Sequence, residues 1–279
     1  MQILNKENEE YPRSLLQIEN PPKQIYVEGD SGLLKKDSIA IVGTRKCSKY
    51  GKECTQKFAT LLAKENITIV SGLALGIDTI AHYYSMQEIG KTIAVIGSGF
   101  NHIYPEENRY LAEQILQNGG CIVSEYPPEE PMNKAYFPKR NRIISGLAMG
   151  VLIVEGRYRS GSMITARYAI KQNKQVFCIP NRINEKTGYI PNLLIQNGAY
   201  LVMKPQDILE FYGLLEEKEP QKVDSKYQDI YKTIGDFPIS INEICKITNK
   251  PLEEVTEALC MLELEELIQN LPGNQYIRV

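Results

Sequence analysis

The chain has 279 residues, of which 43% are hydrophobic and 24% are charged, so it can bury one large core and a smaller second one. No apolar run approaches the roughly 20 residues that a membrane span needs, and the first residues, MQILNKENEEYPRS, lack the apolar core of a signal peptide. The six cysteines form no CxxC pair and there are only two histidines, so we expect reduced thiols, a cytoplasmic location, no membrane partner and no structural zinc.

Short apolar runs alternate with helix-like runs through the first three quarters of the chain. The predicted strands are Ser38–Val42, Thr68–Ser71, Thr92–Ile96, Cys121–Ser124, Val151–Glu155, Gln175–Ile179 and Tyr200–Met203. The predicted helices are Tyr50–Lys64, Ile77–Glu88, Glu106–Gln117, Arg140–Leu147, Met163–Gln172, Ile190–Gln196 and Pro205–Tyr212. The strands are continuously apolar, as a parallel sheet covered on both faces requires. This order predicts an α/β fold with a doubly wound, mostly parallel sheet.

The two ends of the chain depart from this alternation. Residues 1–37 carry apolar residues and several prolines, and we expect a lead-in docked on the core domain of residues 38–212. Residues 213–224 are polar and include a proline, which predicts a linker. Residues 225–279 predict a winged-helix domain, because three helices precede a hairpin; these are Lys226–Ile234, Ser240–Ile247 and Leu252–Leu264, with the turn at Pro272-Gly-Asn274. Ser240 and Glu243 have the spacing of a capping box.

Charge is unevenly distributed, although the net charge of −2 does not by itself indicate a nucleic-acid binder. The segment from Lys134 to Lys171 has eight basic residues and one acidic residue, Glu155, whereas the segment from Asp224 to Val279 has five basic and ten acidic residues. Either segment can simply be a solvated face. The basic segment, however, coincides with a glycine-containing corner at a predicted strand end.

Four predicted strands are followed by small residues that suit an anion site. Glycine lets the backbone approach a ligand, and the free N–H groups of a following helix point at an anion. Glycines also follow strands in α/β proteins for structural reasons alone. The candidate binding residues at these corners are Gly43, Thr44 and Arg45; Ser71 and Gly72; Gly97, Ser98 and Gly99; and Arg157, Ser160, Gly161 and Ser162.

The segment YFPKRNRII, beginning at Tyr136, places an aromatic residue beside cations. Stacking of a base on an aromatic side chain contributes about 1–3 kcal/mol, and adjacent cations follow the phosphates. Alternatively, the aromatic residue belongs to the core and the arginines pair with Glu125, Glu129 or Glu130. We expect the proline to separate the aromatic residue from the helix that the arginines begin. The candidates are Phe137, Lys139, Arg140, Asn141 and Arg142.

Cofactor and catalytic motifs are incomplete in this sequence. The dinucleotide fingerprint fails because His102 stands where Gly97-Ser-Gly99 would need a third glycine. Gly90-Lys91-Thr92 precedes a strand, whereas a phosphate-binding P-loop follows one. No Ser-His-Asp order or paired histidines are present, so we expect no catalytic residue, metal or cofactor. Asp78 and His82, one helical turn apart, are interpreted as a structural hydrogen-bonded pair.

In their order along the chain, these motifs resemble the DNA processing protein A family, also called DprA or Smf. The resemblance rests on YPxxL and PPxxxYxxG from Tyr11 to Gly29, VGTR at Val42–Arg45, SGLAxGID from Ser71, GSG with YP up to Pro105, and SEYP at Ser124–Pro127. It continues through FPxRNRIISGL from Phe137, VEG with SGSxxTAxxA from Val154, and NxLIxxGA from Asn192.

The resemblance implies an extended Rossmann-like domain that binds single-stranded DNA, forms a homodimer and acts in natural transformation. It implies protection of incoming single strands and loading of the RecA recombinase, without catalysis. The DNA pocket would use Arg45, the Gly97–Gly99 turn, residues 137 and 139–142, and the Ser160–Ser162 corner. The dimer and RecA surfaces would lie around Leu193–Phe211. From its charge alone, we expect the acidic tail to repel DNA and to bind protein or inhibit the site.

Three other classes of protein remain as alternatives. A nucleotide phosphoribohydrolase of the lysine-decarboxylase-like type would share the glycine-rich corner, but Ala166 or Arg167 stands where its glutamate is expected. A dinucleotide-dependent oxidoreductase is disfavoured by the incomplete fingerprint. A transcription factor is suggested by the winged helix and disfavoured by its negative charge.

Overall fold

A computed structural model describes residues 1–215, 223–235, 237–265 and 267–278. The chain divides into two compact units, Met1–Leu214 and Leu215–Val279. Most of the residues expected to form the linker, 216–222, lie outside the described residues, so that expectation stays a prediction.

The first unit is built on a sheet that, in the described part of the chain, has nine strands. The strands are β1 (Gln2–Asn5), β2 (Gln24–Gly29), β3 (Ser38–Val42), β4 (Thr68–Ser71), β5 (Thr92–Ile96), β6 (Cys121–Ser124), β7 (Gly150–Ile153), β8 (Gln175–Cys178) and β9 (Tyr200–Leu201). Their order across the sheet is β1-β2-β6-β5-β4-β3-β7-β8-β9. The seven strands from β6 to β9 are mutually parallel, which confirms the predicted fold class.

Helices cover both faces of this sheet. They are α1 (Arg13–Leu16), α2 (Lys49–Lys64), α3 (Ile77–Ser85), α4 (Arg109–Gln117), α5 (Tyr136–Leu147), α6 (Gly161–Lys171), α7 (Tyr189–Gln196) and α8 (Gln206–Tyr212). Successive residues of a strand point to opposite faces, so Ala40 and Val42 pack with α5 and α6 while Ile39 and Ile41 pack with α2 and α3. Both faces of β3 are therefore buried, which explains why residues 39–42 are all apolar.

The N-terminal lead-in takes a more regular form than its sequence suggested. β2 pairs antiparallel with β6, and β1 pairs antiparallel with β2, so residues 1–37 extend the sheet at one edge. Prolines at 12, 21 and 22 fall outside these two short strands, which is why they do not interrupt the hydrogen bonding.

Helix α5 begins at Tyr136, four residues before its predicted start. Pro138 therefore lies in the first turn, where a missing N–H costs nothing because those donors have no partner within the helix. The expectation that Pro138 separates Phe137 from the helix is wrong. Both Phe137 and the following arginines belong to one helix.

The second unit has the predicted winged-helix elements. These are α9 (Gln228–Thr233), β10 (Ile239–Ser240), α10 (Ile241–Thr248), α11 (Leu252–Leu264), β11 (Ile268–Leu271) and β12 (Gln275–Arg278). The strands form a sheet in the order β10-β12-β11, and the three helices pack around Ile230, Ile244 and Leu259. Ser240 and Glu243 form the predicted capping box at the start of α10.

Candidate nucleic-acid interface

The order of the strands reverses between β3 and β7. Strands that follow β3 in sequence lie on one side as far as β6, and those that follow β7 lie on the other side as far as β9. In open parallel sheets ligands bind beyond the carboxyl ends of the strands at such a switch point, because the connections diverge and leave a crevice. β3 and β7 are hydrogen-bonded neighbours with Val42 opposite Ile153, so the corners that follow them lie side by side.

A cleft of about 420 Å³ lies at this switch point. Three segments line it: the corner after β3, the first turns of α5, and the corner between β7 and α6. Ten of the seventeen predicted binding residues contribute to its walls, namely Gly43, Thr44, Arg45, Phe137, Arg140, Asn141, Arg157, Ser160, Gly161 and Ser162.

The corner after β7 presents donors at the start of a helix. The Ser160 side chain caps α6 by accepting a hydrogen bond from the Ser162 backbone N–H, and the Ser162 hydroxyl lies 3.0 Å from the Ser160 hydroxyl. Nothing lies within 4 Å of the position that a Cβ on Gly161 would occupy. An anion can therefore reach the backbone here directly, at the positive end of the helix dipole.

Exposed arginines surround this corner. Arg45, Arg157 and Arg159 are exposed, and none of the three forms an ion pair with a carboxylate in the part of the chain that the structure describes. The carboxylate that lines the cleft is Asp78, which is 5% exposed. The cleft is thus rimmed by cations that have no carboxylate partner within the described residues.

Phe137 stands in the same cleft as a half-buried aromatic wall. Its ring packs against Tyr104, with 5.6 Å between ring centroids, and the Arg45 guanidinium lies 6.0 Å from its centroid. A Cβ on Gly97 would come within 3.1 Å of the Phe137 ring. Gly97 therefore packs against this ring and is not among the residues that line the cleft, so its part in binding stays a prediction.

Arg140 is buried beneath the cleft rather than exposed in it. It is 6% exposed and donates hydrogen bonds to the Gly72 and Val95 carbonyl oxygens. Burial lowers its pKa to about 10, so it stays charged at neutral pH, and burial raises the pKa of Asp78 to about 6 against the opposing effect of Arg140. Arg140 braces the ends of strands β4 and β5, and because it also lines the cleft, its contact with a ligand stays a prediction.

Several other predicted binding residues do not reach the cleft. Ser71 is fully buried and donates to the Ile41 carbonyl, and the Gly72 N–H donates to Asp78. Ser98 is 1% exposed, and the backbone oxygens of Pro127 and Pro128 lie over Gly99. These four residues are therefore bonded or covered within the protein, and their part in binding stays a prediction.

Arg142 and Lys139 also lie outside the residues that line the cleft. The Arg142 guanidinium donates to the Glu125 carboxylate at 2.6 Å, which is the alternative pairing that the sequence allows for this arginine. Lys139 is exposed on α5. Asn141, by contrast, lines the cleft and accepts a hydrogen bond from Arg140 Nε at 3.2 Å.

His82 is structural, as expected, but its predicted partner is wrong. Its Nε2 accepts from the Leu73 N–H at 3.2 Å, so Nδ1 carries the proton towards Thr92 Oγ1 at 2.8 Å. The Thr92 hydroxyl can accept because it donates its own proton to the Ile69 carbonyl. Full burial lowers the pKa of His82 to about 3, so the imidazole is neutral.

Two residues important to the cleft were missed from the sequence. Glu155 is fully buried and accepts hydrogen bonds from Ser48, Asn181 and Thr187, tying the corner after β7 to the start of α2. The available sequence signal for Glu155 was its position at the end of an apolar strand. Tyr158 lines the cleft between Arg157 and Arg159, and its place between two arginines was the available signal.

The described residues contain neither a metal cluster nor a membrane-spanning helix. No three His, Cys, Asp or Glu side chains within those ranges converge as a metal site would require. Nor does any helix that the structure describes combine the length and the apolar character needed to cross a membrane.

Comparison with known proteins places this geometry in a family. The model of DNA recombination-mediator protein A matches residues 2–213, and the DprA winged helix domain matches residues 216–274. Protein Smf of Escherichia coli is 37% identical over 289 residues, covering 99% of this chain and 77% of that protein.

Two solved structures are similar to about three quarters of this chain. DNA processing protein A from Streptococcus pneumoniae is 41% identical with a TM-score of 0.71, over 75% of this chain and 73% of that one. DNA processing protein A from Helicobacter pylori, described for its single-stranded DNA binding mode, is 34% identical with a TM-score of 0.68, over 76% of this chain and 96% of that one. The chain therefore belongs to the DNA recombination-mediator protein A family, whose members are named DprA or Smf.

Proposed function

We propose that the protein binds single-stranded DNA along the cleft at the β3/β7 switch point. The observation that carries this proposal is the convergence, in one cleft, of three exposed arginines, an open helix N-terminus and the Phe137 ring. Guanidinium and backbone N–H groups suit phosphates, and an aromatic wall suits an unpaired base. The single-stranded DNA binding described for the Helicobacter pylori relative supports this assignment.

Binding through this cleft is expected to be independent of sequence. Arg45, Arg157 and the Ser160–Ser162 corner are placed to meet phosphates, which are the same in every nucleotide. Stacking on Phe137 accepts any base, because every base has a π-face. Only an unpaired base can stack in this way, so the cleft favours single strands over duplexes.

We further propose that the protein acts as a recombination mediator in natural transformation, protecting incoming strands and loading RecA. Membership of the recombination-mediator family supports this role. We assign the role to the cytoplasm and to binding rather than catalysis. In this scheme residues 38–212 form the DNA-binding domain and residues 225–279 the winged-helix domain.

A homodimer is part of this proposal. Within the expected segment, Leu193–Phe211, the edge strand β9 and its neighbourhood expose Tyr200, Leu201, Met203 and Phe211, with Met203 76% exposed. Tyr200 and Leu201 lie on β9 at the open edge of the sheet, and the Phe211 ring meets the Tyr200 ring with 5.4 Å between centroids. A second copy that covered them would bury apolar surface and close the edge.

The winged-helix unit is proposed to bind protein rather than DNA. In winged-helix readers the third helix enters the major groove, but here α11 carries Glu253, Glu254, Glu257 and Glu263 and no basic residue. An acidic helix is repelled by phosphates, which favours a partner other than DNA.

Fluorescence anisotropy with single- and double-stranded oligomers of equal length, over a salt series, tests the proposed function. We expect tighter binding of the single strand and an affinity that falls as salt rises. Duplex binding equal to or tighter than single-strand binding would overturn the proposal. Release of adenine from AMP by the purified protein would instead support the phosphoribohydrolase reading.

A further inference from the structure

Tyr158 occupies an unusual position at the tip of the corner after β7. The backbone turns between Arg157 and Ser160, with the Ser160 N–H donating to the Arg157 carbonyl at 2.9 Å. Arg159 adopts a left-handed conformation with φ of 61°. This turn projects Tyr158 outward, and the residue is 65% exposed while lining the cleft.

The ring of Tyr158 is oriented by two neighbours. Tyr189, itself 45% exposed, meets it edge to face with 5.4 Å between centroids and an interplanar angle of 88°. The Arg159 guanidinium lies 5.3 Å from the Tyr158 centroid. These contacts restrict the ring without burying it, which leaves an ordered aromatic surface at the mouth of a cationic cleft.

Stability of the fold does not account for this aromatic residue. Its hydroxyl makes no hydrogen bond to any residue within the described ranges, and most of its surface faces solvent. A lone exposed aromatic residue needs no explanation, but this one lies in the same cleft as Phe137. Both rings also have an exposed arginine within 6.0 Å of their centroids, Arg45 beside Phe137 and Arg159 beside Tyr158.

We propose that Tyr158 is a second base-stacking subsite, which takes an unpaired nucleobase from the same strand that Phe137 contacts. This inference rests on the proposed single-strand binding and adds to it. Arg157 and Arg159 would bind the phosphates on either side of that base, and the edge-to-face contact with Tyr189 would fix the orientation of the Tyr158 ring. The cleft then holds two bases, one on each of two aromatic–arginine pairs, rather than one.

The test compares Tyr158→Ala and Tyr158→Phe on two oligomers of equal length, oligo-dT and an abasic strand that keeps the phosphates. Tyr110→Ala is the matched control, because Tyr110 is 68% exposed on α4 and does not line the cleft. We expect Tyr158→Ala to weaken oligo-dT binding about fivefold or more and to leave abasic-strand binding unchanged. Tyr158→Phe and Tyr110→Ala should both bind oligo-dT with an affinity within about twofold of that of the unmodified protein, because each variant keeps an aromatic ring at position 158.

The outcomes separate this inference from the function on which it rests. If the unmodified protein does not bind oligo-dT, the proposed function fails. If it binds but Tyr158→Ala binds oligo-dT equally well, only the second subsite is excluded. An equal loss on both oligomers would show that Tyr158 shapes the arginine loop instead of stacking on a base, and would also overturn the inference.

Discussion

Replacing Arg45 by alanine tests whether the exposed guanidiniums of the cleft meet phosphates. Arg45 is exposed, lines the cleft and forms no ion pair within the described residues, so its removal leaves no unpaired partner buried behind it. The change therefore removes the proposed phosphate contact, together with the approach of the guanidinium to the Phe137 ring at 6.0 Å. A cation of this kind contributes through release of counterions from the DNA.

The magnitude follows from the number of exposed arginines. If Arg45, Arg157 and Arg159 each neutralise one phosphate, the slope of log affinity against log salt is about −2, taking roughly 0.7 per contact for a single strand. Raising salt from about 50 to 200 mM then weakens binding by about 20-fold. In the Arg45→Ala protein two contacts remain, the slope is about −1.4, and the same change weakens binding by about 7-fold.

Anisotropy with labelled oligo-dT at four or more salt concentrations measures both slopes. Arg109→Ala is the matched control, because Arg109 is also exposed but lies at the start of α4, outside the cleft. Its slope should equal that of the unmodified protein. The reasoning is refuted if Arg45→Ala and Arg109→Ala show the same slope.

Three further predictions concern stacking, stability and the tail. Phe137→Ala should weaken oligo-dT binding by about 1–3 kcal/mol with an unchanged salt slope, because stacking releases no counterions; a changed slope would assign the ring a structural role. His82 has a lowered pKa, so it takes up a proton on unfolding and its contribution to stability is lost as pH falls below about 6.5 towards 3. In urea titrations, the free energy of unfolding of the unmodified protein should fall by about 2 kcal/mol more than that of His82→Gln between pH 7 and pH 5. If the free energies of the two proteins change equally over this pH range, the prediction is contradicted. Deleting residues 222–279 should leave single-strand affinity equal or higher, and a large loss would refute the account of the acidic tail.

The fold was predictable because its strands are buried on both faces. Ile39 and Ile41 face one helical layer while Ala40 and Val42 face the other, so no polar residue interrupts the run. The strands β1 and β2 at this side of the sheet were missed because each has exposed residues at both ends, and prolines nearby suggested a loop.

The site was predictable in its corners but not in its side chains. The amino-acid sequence does not show that the Arg140 side chain is buried and bonded to two carbonyl oxygens while Arg45 stays exposed. Nor does it show that the Pro127–Pro128 segment covers Gly99. Those outcomes depend on how loops cross the strand ends, which is tertiary information. The switch point, which selects two of the four corners, becomes visible only with the strand order.

A crystal structure of the protein with a short oligo-dT tests the central claim most directly. We predict a phosphate against the Ser160–Ser162 corner, an unpaired base on Phe137, and Arg45 and Arg157 beside the backbone. Oligo-dT bound across another face of the protein, with the β3/β7 cleft empty, would contradict the account.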